Sequence, residues 1–174
     1  MTESLERAAH AFATCEFLYR HTYEGEDEAL FELSVDTLAS LARLPDAQVA
    51  RQFWGFLLGA LEQLGFRPEF DHCERCGRVP AADQRVVFDA VAGKVICRNC
   101  RREEGRQFIL SPAALAELKR RQQQPILGPG EEPLAPKTLD EIIGALSEFK
   151  VYHLGGGWLR SLAFAQRMSS TTGE

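Results

Sequence analysis

Apolar side chains recur three and four positions apart over long stretches of the chain, a spacing that predicts helices rather than strands. In residues 3–22 the apolar positions are Leu5, Ala8, Phe12, Cys15 and Tyr19, with Leu18 adjoining, a single stripe expected to be buried. From Glu28 to Arg43, Phe31, Val35, Leu38 and Ala42 share one face, joined by Leu30, Leu33 and Leu41. This second helix should stop before Leu44-Pro45, because the residue preceding proline disfavours helical backbone. Asp46 stands where a third helix needs a cap. Val49, Phe53, Phe56, Leu57, Ala60, Leu61 and Leu64 form the apolar side of that helix, and Gly65 is a natural stop. Trp54 falls off the main stripe and is expected to reach a second partner helix. Three such faces, uninterrupted by a polar catalytic group, predict a helical bundle.

The period then changes. Arg67-Pro68-Glu69-Phe70 reads as an extended lead, and Arg85-Val86-Val87-Phe88 and Lys94-Val95-Ile96 are short β-prone runs flanking a turn that contains Gly93. Together the two runs predict a hairpin. Phe108-Ile109-Leu110 is expected to dock this region onto the bundle. Ser111-Pro112 is a helix start, and that helix runs through Leu115 and Leu118 to Lys119-Arg120-Arg121, whose charge complements the helix dipole. Residues 124–137 hold four prolines and two glycines and are expected to form an exposed loop. Thr138-Leu139-Asp140-Glu141 has the form of a capping box. It would open a helix with Leu139, Ile142, Ile143, Leu146 and Phe149 directed inward, broken at Gly155-Gly156-Gly157. An apolar pattern resumes from Trp158 to Phe164, and residues 169–174 read as a disordered tail.

Four of the five cysteines give the hairpin its chemistry. Cys73-Glu74-Arg75-Cys76 and Cys97-Arg98-Asn99-Cys100 are two C-x-x-C pairs separated by twenty residues, the spacing of a tetrahedral zinc site. Each pair turns two thiolates onto one side of a tight knuckle, and Gly77 suits the first knuckle because a residue there often needs a positive φ. A closed four-thiolate site leaves no position for water or substrate, so Zn2+ here would be structural. The alternatives are a redox dithiol, which no surrounding βαβ pattern supports, and a pair of disulfides, which would suit a secreted chain. His72 reads as a bystander and Cys15 as a packed free thiol.

Length and charge narrow the reading further. At 174 residues the chain can bury one sizeable core with or without a small satellite. No apolar run is long enough to span a bilayer, and the opening residues lack a signal core, which makes the cytoplasm the default expectation. The net charge of −5 is unevenly spread: residues 73–124 carry eleven Arg and Lys against six Asp and Glu. A basic module in an acidic body points to a polyanion near the ribbon, although arginines that merely balance nearby carboxylates explain the count as well. Candidate phosphate-facing residues are Arg75, Arg78, Arg85, Lys94, Arg98, Arg101, Arg102 and Arg106. The triple glycine is no phosphate loop, and His10, His21 and His153 are scattered, so no enzyme site is expected.

The order of elements resembles a known family. A helical body precedes Phe66-Arg67-Pro68 and Cys73-x-x-Cys76-Gly77. A hairpin then leads through Gly93 to Cys97-x-x-Cys100, and a closing helix ends in Phe149-Lys150-Val151-Tyr152-His153-Leu154-Gly155, followed by Leu159-Arg160-Ser161. This resembles the C-terminal helical and zinc-finger region of RecO, the bacterial recombination mediator. The Glu6-Arg7-Ala8-Ala9-His10 opening and the Leu-Gly-Gly ending look most like its Deinococcus–Thermus branch. The resemblance implies a helical bundle over residues 1–70 and 107–168 with an inserted zinc ribbon at 71–106. It also implies a non-enzymatic, nucleoid-associated role in the RecF pathway: binding single- and double-stranded DNA, promoting annealing, associating with RecR and single-strand-binding protein, and helping to load RecA. The OB-fold barrel with which the family begins has no counterpart in these residues, so weak DNA binding is the expectation. Two other classes stay open. One is an adaptor whose helical groove takes an acidic, aromatic-ended peptide, and the other is a zinc-ribbon subunit of transcription or of an unrelated enzyme.

Overall fold

The computed structural model describes residues 2–22, 27–102, 107–157 and 159–164. Three helices, α1 (Thr2–His21), α2 (Glu28–Leu41) and α3 (Asp46–Gln63), precede four strands, β1 (Glu69–Cys73), β2 (Val86–Asp89), β3 (Lys94–Ile96) and β4 (Phe108–Leu110). Helices α4 (Pro112–Gln123) and α5 (Pro136–Leu154) follow, and residues 160–164 are helical again. The chain is mainly helical, as its apolar spacing implies. The acidic residues Glu24 and Glu26, Arg106, Trp158 and the 169–174 tail lie outside the described residues.

The bundle is built around α3, which is buried on almost every side from Gln48 to Leu61. Helices α1 and α2 pack on it, as do α4 and α5. Trp54 does reach further helices, meeting Leu118 of α4 and Leu139 and Ile142 of α5. Asp46 does not cap α3, since Pro45 occupies that position without a side-chain bond. Asp46 lies in the first turn, where the helix dipole favours a carboxylate, and pairs with Arg7 of α1.

The two N-terminal helices are turned the opposite way from their apolar stripes. Helix α1 buries Ala9, Ala13, Thr14 and Phe17, while Phe12 is 66% and Tyr19 88% exposed. Cys15, expected to be packed, is also exposed. Helix α2 buries Leu30, Ser34, Thr37, Ser40 and Leu41, and leaves Phe31 62% and Val35 47% exposed. Opposite α2, α3 carries Gly59, where a Cβ would stand 2.8 Å from Leu33 Cδ2, so Leu33 of α2 packs directly on the α3 backbone there. Two of the three buried hydroxyls are satisfied: Ser34 Oγ donates to the Leu30 carbonyl at 2.7 Å and Ser40 Oγ to Gln52 Oε1 at 3.1 Å.

The strands form one sheet in the order β1-β3-β2-β4. The expected hairpin is present, with Val87 opposite Ile96 and Phe88 opposite Val95. The lead-in and docking runs are strands too: β1 runs parallel to β3 and β4 antiparallel to β2. Alternation then sorts the side chains between two faces. Phe70, Val86, Phe88, Val95 and Leu110 join the helical core, whereas Val87 and Ile96 pack on the other side with Cys73 and Cys97.

Ser111 caps α4 as expected, accepting from the Ala114 N–H at 3.2 Å, with Pro112 in the first turn. Helix α5 begins at Pro136, two residues before the Thr138 capping pattern, and has no side-chain cap. Glu141, the far end of that pattern, accepts from the Ser111 N–H at 2.7 Å and so ties the start of α4 to α5. Helix α5 ends at Leu154, and the glycines that stop it wrap two cations. Lys150 Nζ donates to the Gly155 and Gly157 carbonyls at 3.1 and 2.8 Å, and Arg20 donates to the Gly156 carbonyl.

Residues 124–135 are a loop, but one strapped to α3 rather than displayed. Leu127 is buried, and its N–H donates to Gln52 Oε1 at 2.8 Å. Glu131 closes an ionic cluster that sequence spacing does not reveal. Arg51 of α3 makes two hydrogen bonds to Glu117 of α4, at 2.7 and 3.0 Å, and a third to Glu131 at 2.7 Å. Arg121 grips both Glu131 oxygens. At the basic end of α4, Arg121 is therefore spent inside the protein, Lys119 pairs with Asp71 at 2.8 Å nearer the surface, and Arg120 is exposed.

Candidate metal centre and basic cleft

The four cysteines converge because two strands end side by side. Cys73 closes β1, Cys97 follows β3, and the Glu74 N–H donates to the Val95 carbonyl at 2.8 Å, pinning the first knuckle to the second strand. The first knuckle is tight: the Gly77 N–H donates to the Cys73 carbonyl at 2.8 Å with Gly77 at φ +68°, as its place in the motif suggested. The second is a 3-10 turn over Arg98–Cys100. The four Sγ atoms all lie within 4.8 Å of one another, and Cys76 Sγ is 3.9 Å from Cys97 Sγ. Tetrahedral thiolates sharing an ion at ~2.3 Å stand about 3.8 Å apart. All four cysteines are free, so the pair of disulfides is not formed.

The electrostatics of the cluster call for a cation. Burial pushes the Cys73 thiol up, but the N–H groups of Cys97, Cys76 and Arg75 outweigh it and bring Cys73 down to about 6. Cys100 is pushed up to about 12, held as a thiol by hydrogen bonding to the Cys97 and Cys76 sulfurs and by the neighbouring Cys73 charge. The amides thus stabilise one thiolate, and its charge opposes the next. A divalent ion at the centre supplies the positive charge that lets all four ionise. The donor set, the spacing and the local amides fit a soft, tetrahedral metal, and among the described residues no fifth His, Cys, Asp or Glu joins the group.

Beside the second knuckle, the outer face of the sheet opens into a cleft of about 820 Å³. Its lining includes Val87 and Ile109, which are paired across β2 and β4, together with Arg85, Arg98 and Arg101. Gln84 and Asn99 add amides and Asp83 a carboxylate. Arg85 is only loosely engaged, 3.7 Å from Glu141. Of the other basic candidates, Arg75 and Arg78 are exposed on the first knuckle and Arg102 beyond the second. Lys94 is paired with Glu74 at 2.7 Å. The structure therefore gathers Arg85, Arg98 and Arg101 around one concavity and leaves Arg75, Arg78, Lys94 and Arg102 outside its lining.

Comparison with known proteins agrees with this architecture. The family model for the recombination protein O C-terminal region matches residues 2–163. The chain is 31% identical over 152 residues to a DNA repair protein RecO of Myxococcus xanthus, covering 87% of this chain and 57% of that protein. It is 30% identical over 161 residues to that of Roseiflexus sp., covering 92% and 56%, and 28% identical over 169 residues to that of Bacillus pumilus, covering 97% and 64%. The chain thus spans little more than half the length of these relatives. No solved structure matches at comparable significance. Among the described residues, no helix is long and apolar enough to cross a membrane.

Proposed function

Since the chain belongs to the RecO family, and the relatives it matches are named DNA repair proteins, we propose that it serves DNA repair as a non-enzymatic nucleic-acid-binding module. In this reading Cys73, Cys76, Cys97 and Cys100 hold a structural Zn2+ that fixes both knuckles, with the ribbon at 71–106 as the finger of a helical body. Arg85, Arg98 and Arg101 face the phosphate backbone across the cleft, with the exposed Arg75, Arg78 and Arg102 extending the basic surface. The family role in cytoplasmic recombination, with RecR and single-strand-binding protein as partners in annealing and RecA loading, belongs to the same proposal.

The observation that carries it is the convergence of three arginines from two chain segments on one open cleft beside the metal site. Such a surface binds by charge and without base readout. Titrating a labelled oligo-dT strand tests it by fluorescence anisotropy. With three single-strand phosphate contacts, log K should fall against log salt with a slope of about −2. Reversing Arg98 and Arg101 to glutamate should abolish most of the binding. A flat salt dependence, or unchanged binding by the variant, overturns the reading. The apolar floor formed by Val87 and Ile109 supports a second reading, in which the cleft seats an acidic, aromatic-ended peptide. Binding of such a peptide without binding of oligo-dT would favour it.

A further inference from the structure

Among the described residues, the most regular apolar rows in the sequence of α1 and α2 have exposed side chains with no packing partner. Phe12, Cys15 and Tyr19 stand on the outer side of α1, and Phe31, Val35 and Ala42 on that of α2. Large apolar side chains repeated at helical spacing are normally placed against something. The opposite side of these helices, with Phe17, Leu30 and Leu41 among smaller Ala, Ser and Thr side chains, faces the core, so Phe12, Tyr19, Phe31 and Val35 add little to it. Glu28, Glu32 and Asp36 follow one another at four-residue steps along α2, all exposed, and among the described residues no hydrogen bond or ion pair involves their side chains.

We infer that the outer face of α1 and α2 is a docking surface for a basic amphipathic helix of a partner protein. Two packed helices bearing apolar rows offer a shallow groove of the kind that accepts apolar anchors at i, i+3, i+4 and i+7. The row of carboxylates selects lysine and arginine beside those anchors and disfavours an acidic partner. This surface is built from different elements than the sheet cleft, so the chain carries two sites of opposite preference: a basic cleft for polyanions and an acidic, apolar face for a cationic helix. The inference does not depend on the proposed nucleic-acid function.

The test uses the whole chain and a fluorescein-labelled synthetic helix of about 18 residues, with leucines at i, i+3, i+4 and i+7 and lysines beside them. Two controls are a scrambled peptide of the same composition and the same design with glutamate replacing lysine. The lysine helix should bind about tenfold or more tighter than either control. Phe31→Ser with Val35→Ser, and separately Glu32→Lys with Asp36→Lys, should each weaken it about tenfold while circular dichroism and oligo-dT binding stay at wild-type values. Equal binding of the scrambled helix, or wild-type affinity in both variants, overturns the inference. So does a wild-type dimer in sedimentation that the Phe31→Ser, Val35→Ser variant splits, because the face would then serve a second copy.

Discussion

Arg51 and Glu117 lie on different helices, yet each side chain is only 4% exposed and they share two hydrogen bonds, at 2.7 and 3.0 Å. The pair locks α3 to α4, and through Glu131 it also holds the proline-rich strap on the bundle. Removing one partner leaves a buried charge uncompensated, which costs about 3–5 kcal/mol. Glu117→Ala should therefore lower the urea unfolding free energy by about that amount, and Arg51→Ala with Glu117→Ala together by less than the sum of the two. A loss below about 1 kcal/mol in the single variant contradicts this role.

Acid should loosen the same cluster. Burial works against ionisation of Glu131, but the Gly128 N–H and the Arg121 and Arg51 guanidiniums outweigh it and hold its carboxyl below the ordinary 4.5. A carboxyl depressed in the folded state contributes stability above its ordinary pKa and loses it as pH falls through the folded value. Unfolding midpoints should thus decline on acidification below pH 4.5. Glu131→Gln should be less stable at neutral pH and should show a shallower acid decline. Some slope should remain from Glu16, whose carboxyl is held down by the Ser161 and Arg160 N–H groups despite burial. An acid limb identical to wild type contradicts the assignment.

The inverted stripes make a direct mutational contrast. Phe17 is fully buried and packs edge-on against Phe56 with ring centroids 5.7 Å apart, whereas Phe12, five residues earlier, is mostly solvent-exposed. Phe17→Ala should cost about 3–5 kcal/mol in the denaturation free energy. Phe12→Ser should stay within about 0.5 kcal/mol of wild type. Equal costs would return the apolar stripe to the core.

Glycine substitutions test the packing around α3. At Gly59 a Cβ would press on Leu33 Cδ2 at 2.8 Å and Pro125 Cγ at 3.0 Å, so Gly59→Ala should destabilise by about 1–3 kcal/mol despite alanine's helix preference. Gly144 of α5 is a matched control, because its Cβ would meet Phe108 at an ordinary 3.4 Å. Gly144→Ala should be neutral or stabilising by up to about 1 kcal/mol in thermal unfolding. The same sign at both positions would contradict the packing described.

What the sequence disclosed follows from the range over which each feature is encoded. The C-x-x-C pairs, the Ser111-Pro112 helix start and the β2–β3 hairpin are local, and each stands where its residues imply. Which face of α1 or α2 is buried was not legible, because both faces carry apolar residues and only packing against α3 separates Phe17 and Leu30 from Phe12 and Phe31. The Arg51–Glu117–Glu131 cluster joins residues 66 and 80 positions apart, and no spacing announces such a contact. The cleft was half legible. The arginines were visible as a charge excess, but the cleft's apolar side required Ile109 of β4 to lie beside Val87 of β2, a pairing hidden in three apolar residues.

The metal carries the rest of the account, and its content in the purified, reduced protein is the direct measurement. Elemental analysis should find about one zinc per chain, and chelation should release it with loss of the knuckle fold and of oligo-dT binding. A metal-free chain with the same cooperative unfolding transition and the same binding would contradict the central claim, because the second knuckle and its arginines would then hold their positions without it.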